Sequence, residues 1–311
     1  MNSLLLENVS KRFGETQAVR DLSFAVRPGE IFAILGPNGA GKTTTIRMVL
    51  DILRPDSGRI EVLGGTINQA IKDRIGYLPE ERGLYKKLTV LDCLSYLGRL
   101  KGMKSGAARK RAAALLERLD LGEAMDKQVS QLSRGMQQKA QFAATLLHDP
   151  DLVIVDEPFA GLDPVNTLLI KEMIYELRRA GKTVIMSTHM MHQVEAMADR
   201  MLMVNKGRRV LYGPVDEIRR QYEAHALYIE GDGDWATLPF AERVTFDEDE
   251  RANLVFLREG VSADEALRLL AQDANVHVKR FEVALPSLDN IFIDVVEGAH
   301  RPGGNGKDGR R

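Results

Sequence analysis

The chain has 311 residues, 44% of them hydrophobic, and its 43 basic and 44 acidic residues leave a formal net charge of −1. That length and apolar content predict one large or two modest domains with a hydrophobic core, and they exclude a chain that is disordered throughout. The balanced charge provides no overall field that would attract nucleic acid or an anionic membrane surface, so we expect no nucleic-acid partner.

Membrane insertion is not expected from the sequence. No apolar run approaches the about 20 residues that a membrane-spanning helix needs. The N-terminal residues lack the charged-then-apolar layout of a signal peptide. We therefore expect the chain to stay in the cytoplasm and to reach a membrane only through another protein.

The N-terminal region is predicted to form two strands, over residues 4–9 and 22–26, on either side of a polar turn around Gly14. Phe13 stands directly before that turn. An aromatic residue near the end of a strand is usually part of the core, so residue type alone favours a buried Phe13.

Residues 36–43, GPNGAGKT, lie between an apolar run (31–35) and a helical run (44–52). They fit the phosphate-loop pattern of a glycine, four free positions and then Gly-Lys-Ser/Thr. Backbone N–H groups converge on a phosphate only where side chains are absent and φ is unrestricted, and the following helix adds its positive end. Lys42 is then predicted to reach the β- and γ-phosphates, and the Thr43 hydroxyl to bind Mg²⁺. The alternative, a chance glycine turn, is disfavoured by the strand-loop-helix setting.

Short strands are predicted over residues 59–63 and 75–78, and two helices follow, from Thr89 to about residue 101 and over 105–119. Because these helices interrupt the strand series, we expect an inserted helical subdomain at about residues 84–148. Cys93 falls in the apolar pattern of the first helix, which indicates a small core residue and not a nucleophile.

A continuous apolar run, residues 152–155, ends in Asp156 and Glu157. A run that is apolar at every position is typical of a central parallel strand covered on both faces, whose carboxyl end lies beside the phosphate loop. Asp156 is predicted to hold Mg²⁺, directly or through water, and Glu157 to polarise the attacking water. One acidic pair after a strand is by itself weak evidence for such a site. Its combination with a phosphate loop is much stronger evidence.

Residues 183–189 repeat the buried-strand pattern with a polar end, which places His189 where it could contact the γ-phosphate. His189 and His192 could also form a metal pair, an interpretation disfavoured because no third ligand is near in sequence. Residues 201–205 and 209–212 are predicted to form a final hairpin.

The stretch LSRGM, residues 132–136, makes the set of motifs specific. With it, residues 4 to 215 resemble, in motif order, the nucleotide-binding subunit of ATP-binding cassette (ABC) transporters. The resemblance implies an α/β P-loop NTPase cassette over residues 1–218 that contains the helical subdomain. In that family residues 36–43 correspond to Walker A, 153–157 to Walker B, 160–163 to the D-loop and His189 to the switch histidine.

The resemblance also implies a set of ligand-binding residues. Catalytic roles fall to Lys42, Glu157 and His189, and Mg²⁺ binding to Thr43, Glu80 and Asp156. ATP contacts are assigned to the following residues: Phe13, which stacks on adenine, Gly36, Pro37, Asn38, Gly39, Ala40, Gly41, Lys42, Thr43, Thr44, Ser133, Gly135 and Asp163.

In this family Ser133 and the N–H groups around Gly135 offer donors to the ATP held by a second subunit. The resemblance therefore implies a head-to-tail homodimer closed by ATP. It also implies an ATPase that is peripheral on the inner face of the cell membrane and drives transport, with export favoured, through a separate membrane-spanning subunit.

Two motifs depart from the family pattern. The signature carries Arg134 and Met136 in place of Gly and Gln, but keeps the Ser and the Gly whose atoms meet phosphate. Glu80 stands where the family has the glutamine of the Q-loop, and a carboxylate there is a competent ligand for Mg²⁺ or water.

From about residue 226 the pattern changes to strands (226–230, 241–246, 253–257 and 276–284) and helical runs (262–271 and 286–296). Residues 219–298 are therefore predicted to form a small α+β accessory domain, similar to one found after the cassette in some export-type subunits. The Gly-rich tail, 299–311, is predicted to be disordered.

Two other functions stay open at this point. A soluble cassette ATPase acting on ribosomes or DNA is disfavoured by the single cassette, the lack of a long coiled-coil insertion and the lack of a basic patch. A regulatory cassette without catalysis is disfavoured by the intact Lys42, Asp156, Glu157 and His189.

Overall fold

The structure, a computed structural model, describes residues 2–81, 83–222, 226–233, 235, 238–248, 250–273 and 276–297. It divides into two compact units, Met1–Val215 and Asp216–Arg311. The tail predicted to be disordered, residues 299–311, lies outside the described residues. In the part of the chain that is described, no helix is both long enough and apolar enough to cross a bilayer.

The strands of the N-terminal unit are, in chain order, β1 (Leu4–Phe13), β2 (Thr16–Val26), β3 (Ile31–Leu35), β4 (Ser57–Val62), β5 (Ile75–Leu78), β6 (Leu152–Asp156), β7 (Thr183–Thr188), β8 (Arg200–Asn205) and β9 (Arg208–Pro214). Its helices are α1 (Lys42–Val49), α2 (Gln69–Lys72), α3 (Val90–Leu100), α4 (Ser105–Arg118), α5 (Arg134–Leu146), α6 (Pro164–Arg179) and α7 (Met191–Met197). Two short 3₁₀ helices, Gly122–Ala124 and Val129–Gln131, precede α5.

A six-stranded sheet in the order β5-β6-β7-β3-β8-β9 forms the centre of this unit. All its pairings are parallel except that of β8 with β9, which is the predicted hairpin. Every residue of β3, β6 and β7 is buried, as expected for strands covered on both faces. The carboxyl ends of these three strands therefore meet at one edge, where the sequence places its polar motifs.

A second, antiparallel sheet has the order β2-β1-β4. Its strands run further than the sequence predicts, to Phe13 on one side of the turn and from Thr16 on the other. Phe13 is 47% exposed, so the core position favoured by residue type alone is wrong. Phe13 lies at the hairpin end, beyond Val9, the last buried residue of β1, and this position explains its exposure.

The predicted helical insertion is present as α3, α4 and α5, and it leaves and rejoins the central sheet at the adjacent strands β5 and β6. The hydroxyl of Thr89 accepts a hydrogen bond from the backbone N–H of Asp92 at 3.1 Å, which fixes the start of α3. Cys93 is fully buried in that helix, and burial raises the pKa of its thiol, as suits a core residue.

The C-terminal unit contains α8 (Val215–Gln221, which begins at the last residue of the first unit), β10 (Ala226–Asp232), β11 (Ala241–Asp247), β12 (Ala252–Leu257), α9 (Ala263–Gln272), β13 (His277–Val283) and α10 (Leu288–Glu297). Its four strands form one antiparallel sheet in the order β11-β12-β10-β13. Leu227, Ile229 and Val255 of the sheet pack with Ala266 and Leu270 of α9 in a separate core. These elements match the predicted α+β pattern.

Candidate nucleotide-binding site

The loop between β3 and α1 has the backbone that a phosphate site requires. A Cβ atom at Gly36 would lie 2.2 Å from the carbonyl oxygen of Val204, and one at Gly41 would lie 2.5 Å from that of Ala18. Gly41 also has a φ of 107°, which L-residues rarely adopt. From the β8–β9 turn, Gly207 donates its N–H to the carbonyl of Ala40 at 2.9 Å. The loop is thus shaped by close backbone contacts that exclude side chains.

A cavity of about 370 Å³ lies over this loop, at the carboxyl edge of the central sheet. It brings together eleven residues that the sequence assigns to ATP, Mg²⁺ or catalysis, and it adds one that the sequence reading missed, Ala18. The lining residues are Ala18, Asn38, Gly39, Ala40, Gly41, Lys42, Thr43, Thr44, Glu80, Asp156, Glu157 and His189.

Lys42, the first residue of α1, has its amine folded back onto the loop. Its Nζ donates to the carbonyl oxygen of Gly36 at 2.7 Å and to that of Pro37 at 3.3 Å. Burial lowers the pKa of the Lys42 amine, while the carboxylates of Glu157, Asp156 and Glu80 oppose the shift. The cation therefore lies between the loop carbonyls and three carboxylates that outnumber it in charge, so a phosphate would bind there together with a divalent cation.

Asp156, the last residue of β6, faces Thr43 across the cavity floor. The Thr43 hydroxyl lies 3.1 Å from Asp156 Oδ2, and the hydroxyl of Ser187 donates to the other oxygen, Oδ1. Burial raises the pKa of this carboxyl, and the two hydroxyl groups oppose the shift. One hydroxyl and one carboxylate oxygen that converge at the cavity suit Mg²⁺, which takes few protein ligands and leaves its other positions to water and phosphate.

Glu157 follows β6 in a left-handed backbone conformation, with a φ of 49°. Its N–H donates to the carbonyl of Ser187 at 3.0 Å. The carboxylate makes two contacts, from Oε1 to His189 Nδ1 at 2.8 Å and from Oε2 to the Thr188 hydroxyl at 3.2 Å. A non-glycine residue in this conformation is uncommon and often marks a functional site.

Glu80 reaches the cavity from the loop that follows β5. The side-chain amide of Gln141, a buried residue of α5, donates to the carbonyl oxygens of Pro79 at 3.3 Å and Glu81 at 3.1 Å. The loop that carries Glu80 is therefore attached to the helical subdomain. Sequence reading found Glu80 but not the amide that fixes its loop.

The remaining predicted ligands do not line this cavity. Ser133 is an exposed residue whose hydroxyl caps α5 by accepting the N–H of Met136 at 3.3 Å. Asp163 caps α6 by accepting the N–H of Asn166 at 2.9 Å, and this bond helps hold the pKa of its carboxyl below the usual range. Gly135 lies close to the D-loop, since a Cβ atom there would be 3.6 Å from Leu162 Cδ2.

Phe13, Gly36 and Pro37 also lie outside the cavity lining. The exposed Phe13 ring has the Lys11 amine 5.7 Å from its centroid. His192 meets only Gln193 Nε2, at 2.8 Å, among the hydrogen bonds of the described residues, so the disfavoured His189–His192 metal pair gains no support.

A phosphate loop and two carboxylates at the carboxyl edge of a parallel sheet define a P-loop nucleoside triphosphatase fold. Residues 19–160 match the family model described as "ABC transporter", and residues 213–296 match the model of the C-terminal domain of DrrA1-3-like ATP-binding proteins. The chain is 39% identical to the uncharacterized ABC transporter ATP-binding protein YhaQ of Bacillus subtilis, over 94% of this chain and 98% of that relative. It belongs to the family of ABC transporter ATP-binding proteins, which are ATPases, as the motifs predict.

Two further likenesses bear on transport and assembly. The chain is 38% identical to the Nod factor export ATP-binding protein I of Ralstonia nicotianae, over 78% of each chain. Among solved structures, a dimeric post-hydrolysis state of the ATP-binding cassette MJ0796, bound to ADP and Pi, is 25% identical, with a TM-score of 0.63 over 68% of this chain and 98% of that one.

Proposed function

We propose that this ATPase subunit powers export through a separate membrane-spanning subunit, and that ATP closes two copies of it head to tail. Export is supported by the Nod factor export relative. The observation that carries the ATPase part is the convergence of Lys42, Thr43, Asp156 and Glu157 on one cavity.

Each of these residues has a distinct task in the proposal. The Lys42 amine exchanges its loop carbonyls for β- and γ-phosphate oxygens, since it already sits at the loop and is drawn to anions. Thr43 and Asp156 would hold Mg²⁺, and the bound ion would neutralise developing charge on the phosphates. Glu157 orients a water molecule and accepts its proton, and His189, half exposed beside it, turns toward the γ-phosphate.

The proposed dimer is supported by the predicted ligands that the cavity leaves out. Ser133 and Gly135 lie at the amino end of α5, where a helix N-terminus favours anions, and Asp163 caps the amino end of α6 with its own carboxylate. None of the three lines the cavity of its own chain, so we assign them to the ATP-closed interface with a second copy. The dimeric state of MJ0796 supports this assembly for a related fold.

An apolar groove in the N-terminal unit supports a membrane partner. The groove has a volume of about 390 Å³ and lies between β5, its following loop, α3 and α5, with Leu84, Leu97 and Leu100 in its wall. Leu100 is 61% exposed, and the exposed rings of Tyr85 and Tyr96 meet edge to face at 5.5 Å. An exposed apolar patch of this kind marks an interaction site. We assign it to an apolar cytoplasmic segment of the membrane subunit, which would hold the chain on the inner face of the membrane.

Fractionation of native cells tests this assignment. We expect the chain in the membrane fraction and, after detergent extraction, in complex with a hydrophobic subunit. Leu100→Glu should release it, because a charge would be desolvated in the groove. Ile52→Glu is the matched control, since Ile52 is 59% exposed and lies outside the groove. Wild-type chain found with ribosomes or DNA would support the soluble alternative and contradict the proposal.

A further inference from the structure

The end of β7 holds both site carboxylates through two successive hydroxyl groups. Asp156 pairs in register with Ser187, and the Ser187 hydroxyl donates to its carboxylate. One residue further along, the Thr188 hydroxyl donates to Glu157 Oε2 at 3.2 Å. The motif reading assigns a task to each carboxylate and to His189, but none to Thr188. We propose that Thr188 is a positioning residue that holds the Glu157 carboxylate in its reactive orientation.

The hydrogen-bond directions around Thr188 support this role. Its Oγ1 accepts the backbone N–H of Met190 at 3.1 Å. A hydroxyl has a single proton, and here the nearby acceptor is Glu157 Oε2, so the proton is directed at the carboxylate. Thr188 is 1% exposed and β-branched, and so it has little freedom to rotate away. The burial of Thr188 therefore fixes the direction of the hydrogen bond that its hydroxyl donates to Glu157.

The two contacts of the Glu157 carboxylate differ in how firmly they are held. The side chain of His189 is 54% exposed, while Thr188 is buried in the strand. When His189 turns toward a phosphate, as proposed above, Oε1 loses its partner. Oε2 keeps the Thr188 hydroxyl, and Oε1 becomes free to accept a proton from water. Thr188 thus separates the two oxygens into one that is held and one that reacts.

Such support matters because a base acts only when its oxygen lies within hydrogen-bond distance of the attacking water. Glu157 has a left-handed backbone, so its position depends on neighbours more than on local preference. The inference rests on the proposed role of Glu157 as the base.

The test compares Thr188→Val with Thr188→Ser and with a matched control. Valine keeps the shape but lacks the hydroxyl, and serine restores it. Thr183→Val is the control, because Thr183 is also buried in β7 and its hydroxyl also accepts a backbone N–H, from Gly29 at 3.0 Å, yet it lies at the other end of the strand. Melting temperature measured for each variant separates a loss of stability from a loss of function.

We expect Thr188→Val to lower kcat for ATP hydrolysis about 10-fold, the loss typical of one hydrogen bond to a charged group, with KM and ATP affinity within about twofold. Thr188→Ser should recover most of the rate, and Thr183→Val should match the loss of melting temperature without the loss of kcat. In a Glu157→Gln background the Thr188→Val change should have no further effect, because the hydroxyl acts through the carboxylate.

Different outcomes would contradict different parts of this proposal. Wild-type kcat in Thr188→Val, or an equal loss in the Glu157→Gln background, would remove Thr188 from this role and leave Glu157 as the base. Wild-type turnover by Glu157→Gln would remove the base itself, and the inference with it.

Discussion

The side-chain amide of Gln141 donates a hydrogen bond to the backbone carbonyl of Glu81 at 3.1 Å. Gln141 belongs to α5, the helix that begins directly after Ser133 in the signature stretch, while Glu81 follows Glu80 of the nucleotide cavity. The amide thus connects α5 to the loop that carries Glu80, which would sense Mg²⁺ and the γ-phosphate. The contact is a direct physical link between the two elements.

The first prediction concerns Glu80. A carboxylate near a γ-phosphate is repelled by it unless Mg²⁺ lies between them and makes the contact attractive. Glu80→Gln should therefore retain ATPase activity while needing less Mg²⁺, and Glu80→Ala should weaken coupling to transport more than nucleotide binding. Mg²⁺ titrations of ATPase activity measure the first effect, and vesicle transport the second.

Glu81→Gln is the matched control, because it removes a neighbouring charge that does not line the cavity. Superimposable Mg²⁺ curves for wild type, Glu80→Gln and Glu80→Ala would show that Glu80 is only an exposed loop acid.

A second prediction concerns the base. Glu157→Gln should keep ATP binding but lower hydrolysis by about 10²–10⁴-fold, the range typical of general-base loss, and the ATP-bound dimer should accumulate. Size-exclusion chromatography with ATP and Mg²⁺ detects the dimer. Glu172→Gln, an exposed change on α6, is the control. Rapid turnover by Glu157→Gln, in a preparation free of other ATPases, would exclude this role.

The third prediction is a pH dependence. Burial raises the pKa of the Asp156 carboxyl, so a proton competes with Mg²⁺ at a higher pH than at an exposed aspartate. Affinity for Mg²⁺ should weaken as pH falls toward that raised pKa and recover above it. Ser187→Ala removes the hydrogen bond that opposes the shift, so the weakening should begin at a still higher pH.

Melting temperature as a function of Mg²⁺, measured with ADP across a pH series, reports this affinity. Thr183→Val serves as the control for a lost buried hydroxyl in β7. If Ser187→Ala leaves unchanged the pH at which Mg²⁺ affinity begins to weaken, the assignment of Asp156 as a metal ligand is contradicted. The titration of the nucleotide is the same in both variants, so the comparison between them cancels it.

The fourth prediction separates the two units. Every nucleotide motif lies before about residue 215, so a chain that ends near Arg219 should still bind ATP. Arg219 donates to the carbonyls of Leu285 and Pro286, which places α8 with the C-terminal unit and favours an end at Val215 as the cleaner cut. Calorimetric titration with ATP measures binding. A folded shortened chain without affinity for ATP would show that the C-terminal unit takes part in the site.

Local patterns in the sequence predict much of the fold. The bounds of β3 and β5 are predicted to the residue, and the buried strand β6, the β8–β9 hairpin and the burial of Cys93 are confirmed. These features depend on residue type and short-range periodicity. The order of the central strands cannot be predicted from such local patterns, because β3 pairs with β7 and β8, which are remote in sequence.

The contacts that sequence reading missed are also long-range. Ala18 lines the cavity only because β2 approaches Gly41, and Gln141 reaches the Glu80 loop only after the helical subdomain has packed. A signal for Ser187 and Thr188 did exist, since two successive hydroxyl residues end a strand that is otherwise apolar after Thr183. Their partners could not be assigned without the register of β6 and β7.

The loop that would hold phosphate is complete in the chain by Thr43, yet its shape depends on residues made much later. Gly36 packs against the carbonyl of Val204, and Gly207 donates to the carbonyl of Ala40. During synthesis the phosphate loop therefore reaches its final shape only after Gly207 has left the ribosome, and we expect stabilisation by ATP through mass action only from then on. Cellular ATP would thus stabilise only chains whose first unit is complete, which leaves truncated chains open to proteolysis.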